Sequence, residues 1–230
     1  MKIGGLQKTT LIDYPGEIAC IVFLTGCNFR CPFCYSKELV YDDPNLFTLT
    51  EEDFFSFLKK RMGQLDGCVI CGGEPTLNKE IFDFCKKIKG LDYKIKLDTN
   101  GSNPDIIQKL IKGNLIDYIA MDVKAPFCKY AKATGVKVDT KKIQTSIDII
   151  KNSSIDYEFR TTIVPEIHEI GDIKKIVKQI APAKKFFIQN FRNDKDLLSP
   201  HFNQIASFDE CEIQKVISEI KQHFEICYLR

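Results

Sequence analysis

Charge of one sign is what this 230-residue sequence has least of: 33 Lys and Arg stand against 31 Asp and Glu, a formal net charge of +2. Proteins that follow a phosphate backbone carry a marked basic excess, so nucleic acid is not the expected partner. No run approaches the roughly 18 apolar residues that a membrane-spanning helix needs. Met1-Lys2-Ile3-Gly4-Gly5 does not lead into a signal-peptide core with a small-residue cleavage site. A cytoplasmic protein that meets no membrane is expected. Low-complexity tracts, repeats of solenoid period and Pro/Gly/Ser linkers are missing as well, which predicts one domain over residues 1–230. Histidine is scarce, and His168, His201 and His223 show no metal-ligand spacing. They read as surface or internally satisfied residues.

What is present is an ordinary globular composition, 44% apolar and 28% charged, with ten cysteines. Disulfide frameworks belong to small secreted domains, whereas the cytoplasm keeps thiols reduced. Some of the ten are therefore expected to bind metal.

Short β-rich runs, Ile18 to Leu24, Gly67 to Cys71, Tyr93 to Leu97, Ile116 to Met121, Asp156 to Thr162 and Lys185 to Gln189, alternate with helical patterns at 51–61, 79–89, 104–113, 139–151, 171–180 and 208–222. Residues 1–16 read as an N-terminal extension before the first of these strands. Right-handed βαβ units build a parallel sheet, either open and doubly wound or curled into a barrel. In both architectures ligands bind at the carboxyl ends of the strands. There the sequence places Thr25-Gly26-Cys27-Asn28-Phe29-Arg30-Cys31-Pro32-Phe33-Cys34, Gly72-Gly73-Glu74-Pro75, Asp98-Thr99-Asn100-Gly101 and Met121-Asp122-Val123-Lys124, with Arg160 inside the fifth run and Phe191 after the sixth.

Cys27, Cys31 and Cys34 stand at spacings of four and three, at which three thiolates on one loop can close around three corners of an iron–sulfur cube and leave the fourth iron without a protein ligand. Structural zinc wants a fourth Cys or His, whereas thiolate-only runs suit iron–sulfur clusters. Cys20, Cys68, Cys71, Cys85, Cys128, Cys211 and Cys227 are scattered and read mainly as small core residues. Cys68 and Cys71 form a C-x-x-C pair on a core strand with no second pair to complement it, and packing is favoured over a redox or metal role.

The C-x₃-C-x₂-C triplet, with Phe33 before its third cysteine and Gly72-Gly73-Glu74-Pro75 after the second strand, resembles the radical S-adenosylmethionine superfamily. The longer opening, from Gly5-Leu6-Gln7-Lys8-Thr9-Thr10-Leu11-Ile12-Asp13-Tyr14-Pro15-Gly16 into the cysteine loop, resembles the anaerobic ribonucleoside-triphosphate reductase activating proteins, as do Phe159 to Pro165 and Gln189-x-Phe191. The resemblance implies an α/β fold, a partial open (β/α)6 barrel, holding one 4Fe-4S cluster on Cys27, Cys31 and Cys34 and binding S-adenosylmethionine. It implies reductive cleavage of that cofactor and generation of a glycyl radical on a partner enzyme, with flavodoxin or ferredoxin as electron donor. Only 33 residues separate Cys34 from Cys68, too few for an insert carrying further clusters.

The same resemblance assigns roles residue by residue. Gly72 and Gly73 let the backbone approach the methionine part, and Glu74 meets its ammonium. Asp98, Thr99, Met121 and Asp122 match positions that gather a monovalent cation in the related pyruvate formate-lyase activating enzyme. Asn100 reaches the ribose or serves an Asn-Gly turn. Lys124 and Arg160 place positive charge near the carboxylate, Phe33 and Phe191 flank adenine, and Asp13 faces the incoming glycine loop. Tyr35-Ser36 and Cys71 depart from the pattern of many relatives without removing a ligand. Two other readings stay open: a radical S-adenosylmethionine enzyme acting on a small molecule such as a 7-deazaguanine precursor, and a non-catalytic iron–sulfur or zinc-binding module.

Overall fold

A computed structural model describes residues 1–230 except 42 and 44. Eight strands form one sheet in chain order: β1 (Ile3–Thr10), β2 (Ala19–Leu24), β3 (Gly67–Gly72), β4 (Lys94–Thr99), β5 (Tyr118–Asp122), β6 (Asp156–Ile163), β7 (Ala183–Asn190) and β8 (Phe224–Leu229). β1 runs antiparallel to β2, and every later neighbour pairs in parallel. The sheet keeps two edges, β1 and β8, so the barrel is partial and open. Its helices are α1 (Lys37–Tyr41), α2 (Glu51–Lys60), α3 (Ile81–Lys89), α4 (Pro104–Lys112), α5 (Tyr130–Thr134), α6 (Thr140–Lys151), α7 (Asp172–Ile180) and α8 (Glu210–Ile220). All six predicted strands are found as β2 to β7, and the six predicted helices as α2, α3, α4, α6, α7 and α8.

The stretch read as an extension is partly sheet, because Ile3 to Thr10 pair along β2. Its Gly4-Gly5 pair and polar tail give no apolar alternation from which a strand could be read. β8 was also unforeseen. It is a largely exposed edge strand, so burial does not discipline its sequence.

Successive strand residues point to opposite sides of the sheet, and the two sides have different chemistry. Cys20, Val22, Cys68, Ile70, Ile95, Leu97, Ile119, Phe159 and Phe186 join the main core, against which the amphipathic helices bury their apolar faces. Each such side chain taken from water contributes about 1.5–3 kcal/mol. Helix starts are fixed by side chains: the Thr50 hydroxyl accepts from Asp53 N–H at 3.0 Å, and Asp139 and Asp209 cap α6 and α8 in the same way. The inner side begins with a small cluster of Tyr14, Ala19, Ile21, Val69 and Tyr118, flanked by Phe23 and Cys71. Tyr14, in the β1–β2 turn, lies 5.9 Å from the Tyr118 ring and floors the barrel at the amino ends of its strands. Above this floor the inward row turns charged. Among the described residues no helix is long and apolar enough to cross a membrane.

Candidate active site

Thr25 to Cys34 leave the carboxyl end of β2 without regular structure, so neighbouring elements must hold their shape. Gly26 N–H donates to the Leu39 carbonyl at 2.7 Å, Arg30 N–H to Thr134 at 2.7 Å, Leu198 N–H to Cys34 at 2.7 Å and Ser199 N–H to Pro32 at 2.9 Å. Gly135 ends α5 at φ +67°, so close to the loop that a Cβ there would stand 2.2 Å from the Arg30 carbonyl oxygen. Cys27, Cys31 and Cys34 are free thiols on this loop, and Phe29 N–H donates to Cys27 Sγ at 3.4 Å. Burial pushes the Cys27 thiol up, against that hydrogen bond. Burial also pushes Cys31 up to about 12, with Lys124 pulling the other way. Of the remaining cysteines, Cys20, Cys68 and Cys85 are fully buried in the main core, Cys128 and Cys211 are exposed and Cys227 is half-buried, while Cys71 joins the inner cluster within electrostatic reach of Asp98, Arg160 and Lys96, its thiol pushed up to about 12 by burial.

The Gly-Gly-Glu-Pro turn is bonded to the same loop. Gly72 sits at φ +114°, where a Cβ would stand 2.3 Å from the Leu24 carbonyl oxygen, and a Cβ on Gly73 would stand 2.1 Å from that of Gly26. Gly73 N–H donates to Leu24 and Glu74 N–H to Gly26, both at 2.8 Å. Glycine is required here by contact with the cysteine loop's own backbone. The Glu74 carboxylate, read from the sequence as meeting an ammonium, is 0% exposed. Its Oε1 accepts from Thr76 N–H at 3.1 Å, Thr76 Oγ1 at 2.5 Å and Thr99 Oγ1 at 2.8 Å, and its Oε2 accepts from Asn100 N–H at 2.6 Å.

A charged row crosses the inner wall at the carboxyl ends of β4, β5 and β6. Arg160 bridges two carboxylates, with Nε 2.8 Å from Asp122 Oδ1 and NH1 2.8 Å from Asp98 Oδ2. Lys124 closes on Asp122 at 3.0 Å and Lys96 on Asp98 at 2.5 Å. Burial opposes ionisation of both carboxyls, but Arg160, with Lys96 or Lys124, outweighs it and holds each below the usual carboxylate range. Lys124 is likewise raised against its own desolvation by Asp122. Three cations thus face two carboxylates, an excess of one positive charge. Glu158, 4.0 Å from Arg160, is already answered by Arg230 at 3.0 Å and the Tyr118 hydroxyl at 2.9 Å. Asp98, Arg160, Lys124 and Asp122 keep 12% to 26% of their side-chain surface, enough to meet a ligand. His168 accepts from Val164 N–H at 3.0 Å through Nδ1 and reaches the Lys124 carbonyl at 2.9 Å through Nε2. It is internally satisfied and pins the Lys124 backbone.

Not every residue singled out in the sequence arrives at this mouth. The side chains of the four expected cation residues divide between the two faces of the sheet, because neighbours on a strand point opposite ways. Asp98 and Asp122 meet at Arg160, while Thr99 donates to buried Glu74 and Met121 packs in the main core. A guanidinium stands between the two carboxylates. Asn100 serves the turn at Gly101 (φ +74°), and both ends of its amide are taken by Ser102 N–H and Asn28, each at 2.9 Å. Phe33 and Phe191 are buried, Phe191 edge-on to Phe202. Asp13 accepts from Thr10, the β1 residue paired with Ala19, so it lies at the amino end of β2. That is about 17 Å of strand away from the cysteine loop. Lys96 was missed, although Lys94-Ile95-Lys96-Leu97-Asp98 alternates cleanly. A polar row usually means solvent, and only barrel closure turns it inward.

Three free thiols on one braced loop, with Lys124 favouring the ionised form of Cys27 and Cys31 against their burial, fit a cluster held by three thiolates. The partly open, singly positive wall beside them fits a cofactor that carries a carboxylate. Among the described residues no three His, Cys, Asp or Glu side chains gather closely enough to hold a single metal ion.

Comparison with known proteins bears on this arrangement. The model of the Radical SAM superfamily matches residues 21–180. A Methanocaldococcus jannaschii protein provisionally named a glycyl-radical enzyme activating enzyme is 31% identical, over 99% of this chain and 95% of its own. The 7-carboxy-7-deazaguanine synthase of Koribacter versatilis is 28% identical over 64% of this chain and 62% of its own. Among solved structures, Streptococcus suis SuiB superposes with a TM-score of 0.66 at 15% identity, covering 91% of this chain. This chain spans 48% of SuiB, so that likeness concerns the fold.

Proposed function

The chain belongs to the radical S-adenosylmethionine superfamily, whose members bind a 4Fe-4S cluster and S-adenosylmethionine, and from that premise we propose that it is an activase that generates a glycyl radical on a partner enzyme. The partner of first choice is anaerobic ribonucleoside-triphosphate reductase, with flavodoxin or ferredoxin as electron donor in the cytoplasm. The observation that carries this reading is the identity, across nearly the full length of both chains, with the provisionally named M. jannaschii activating enzyme.

Cys27, Cys31 and Cys34 would hold the cluster. When bound, it supplies the electron that cleaves S-adenosylmethionine to methionine and a 5′-deoxyadenosyl radical. The protein's own residues orient the reactants. The loop's backbone hydrogen bonds keep the three thiols on one side of the mouth. The excess positive charge of Lys96, Arg160 and Lys124 over Asp98 and Asp122 attracts the cofactor's carboxylate, and the low surface exposure of that wall strengthens the attraction. Because Arg160 is clamped by two carboxylates, it keeps its position without a reorganisation cost when the ligand arrives. Tyr14 and Tyr118 close the barrel floor, so a macromolecular substrate must approach at the mouth or through the gap between β1 and β8.

The test is to mix the reduced, reconstituted protein with S-adenosylmethionine and anaerobic ribonucleotide reductase without oxygen, and to look for a glycyl-radical signal on the reductase. Its appearance, with stoichiometric 5′-deoxyadenosine, supports the reading. Cofactor cleavage stimulated by a 7-deazaguanine precursor and not by the reductase would favour the second reading, the one suggested by the 7-carboxy-7-deazaguanine synthase match.

A further inference from the structure

We infer that Glu74 is a positioning residue for the cysteine loop, bracketing Cys27 through Gly26 on one side and through Asn100 and Asn28 on the other, and not a ligand of the cofactor's ammonium. The inference rests on the proposed function only in taking that loop to carry the cluster.

Four donors already surround the Glu74 carboxylate, with Thr76 N–H, the Thr76 hydroxyl and the Thr99 hydroxyl on Oε1 and Asn100 N–H on Oε2. The group has no exposed surface. An ammonium could reach the open side of Oε2 only by parting the residues that bury it, at the cost of the buried hydrogen bonds they make. Glu74 has another task, shared between its main chain and its carboxylate. Its own N–H donates to the Gly26 carbonyl at 2.8 Å, one residue before Cys27. Its Oε2 fixes Asn100 N–H, and the Asn100 amide passes the constraint on: Nδ2 donates to Asn28 Oδ1 at 2.9 Å, while Oδ1 accepts from Ser102 N–H. Asn28 in turn donates to Ser102 Oγ at 2.9 Å. Asn28, one residue after Cys27, is therefore held at both ends of its amide by the turn that Glu74 organises. Ser146 of α6 donates to the Gly101 carbonyl at 2.7 Å and ties that turn to the helix layer. A glutamine at 74 has one acceptor oxygen, so its NH₂ would face a backbone or hydroxyl donor.

Two variants test the relay from its ends: Glu74→Gln at the buried end, and Asn28→Ala at the exposed end, where folding is not at stake. In the cluster-free chain without cofactor, both are expected to speed amide hydrogen exchange at Phe29 and Arg30, whose N–H groups donate to Cys27 Sγ and the Thr134 carbonyl, by at least about fivefold, and Asn28→Asp, which can accept from Asn100 and from the Ser102 hydroxyl, restores protection. In the reconstituted chain, Glu74→Gln is expected to weaken S-adenosylhomocysteine and its desamino analogue by the same factor. Unchanged exchange in both variants overturns the relay. A loss confined to the ligand that carries the amino group overturns it as well, because it would mean direct contact. Failure of the unaltered chain to build a cluster would count against the proposed function and leave the exchange result to judge the relay.

Discussion

A Cβ on Gly73 would stand 2.1 Å from the carbonyl oxygen of Gly26, so the turn after β3 and the loop that carries the three thiols are in backbone contact. Neither side can yield through a flexible side chain. Gly73→Ala is expected to push the cysteine loop away and to lower iron content per chain at least about twofold, with loss of S-adenosylmethionine cleavage. Gly63→Ala is the control: φ is +74° there but nothing lies within 4 Å, and the cost is only the roughly 1–2 kcal/mol of left-handed strain. Iron analysis of the two reconstituted variants checks the contact, and equal iron in both would refute it.

The Asp98–Arg160–Asp122 bridge predicts a pH dependence. Both carboxyls are held below the usual range, burial opposing and Arg160 prevailing with the lysines. Their contribution to stability is therefore present above the ordinary aspartate pKa of about 3.9 and is lost as pH falls through the lower folded values. In Arg160→Met one cation is gone, the two carboxyls repel, and both folded values rise. The acid-unfolding midpoint followed by circular dichroism should move to higher pH by about one unit, and S-adenosylmethionine affinity should fall about tenfold or more. An unmoved midpoint would mean that the bridge is not formed.

Thiol chemistry gives a second pH dependence of opposite origin. Burial raises Cys27, and raises Cys31 to about 12, so ligation must release protons. Cluster assembly should weaken steadily from pH 8.5 to 6.5. Cys31→Ala should abolish the 4Fe form and cofactor cleavage, whereas Cys85→Ala, a change on the buried face of α3 in the main core, should preserve both. Iron and sulfide counts across pH, and in the two variants, decide this.

Asp13 sits at the amino end of β2, hydrogen-bonded to Thr10. Asp13→Ala should leave iron content and S-adenosylmethionine affinity within about twofold of the parent, since no charge of the mouth is altered. Anaerobic titration of the cofactor checks it, and a tenfold loss would contradict the placement.

These expectations show what the sequence could and could not disclose. The helices and the buried strands were legible because period 3.6 and runs of Val, Ile and Cys state which side meets the core. The chemistry at strand ends was legible because βαβ topology delivers all those ends to one side. What stayed hidden depends on facing. Sequence neighbours such as Asp98 and Thr99, or Met121 and Asp122, read as one group, and only the pleat shows that their side chains point to opposite faces. Lys96 reads as a surface lysine until the sheet curls around it. Glu74 reads as a ligand contact, and Asn100 as either a ribose contact or a turn residue, because nothing in a motif says that Thr76, Thr99, Asn28 and Ser102 bond to their polar atoms.

The most direct test of the account is anaerobic electron paramagnetic resonance of the reconstituted, reduced protein with and without S-adenosylmethionine, paired with quantification of 5′-deoxyadenosine. The account predicts a 4Fe-4S signal that shifts when the cofactor is added, with deoxyadenosine formed. A closed four-cysteine cluster or bound zinc, unresponsive to the cofactor and producing no deoxyadenosine, would contradict it.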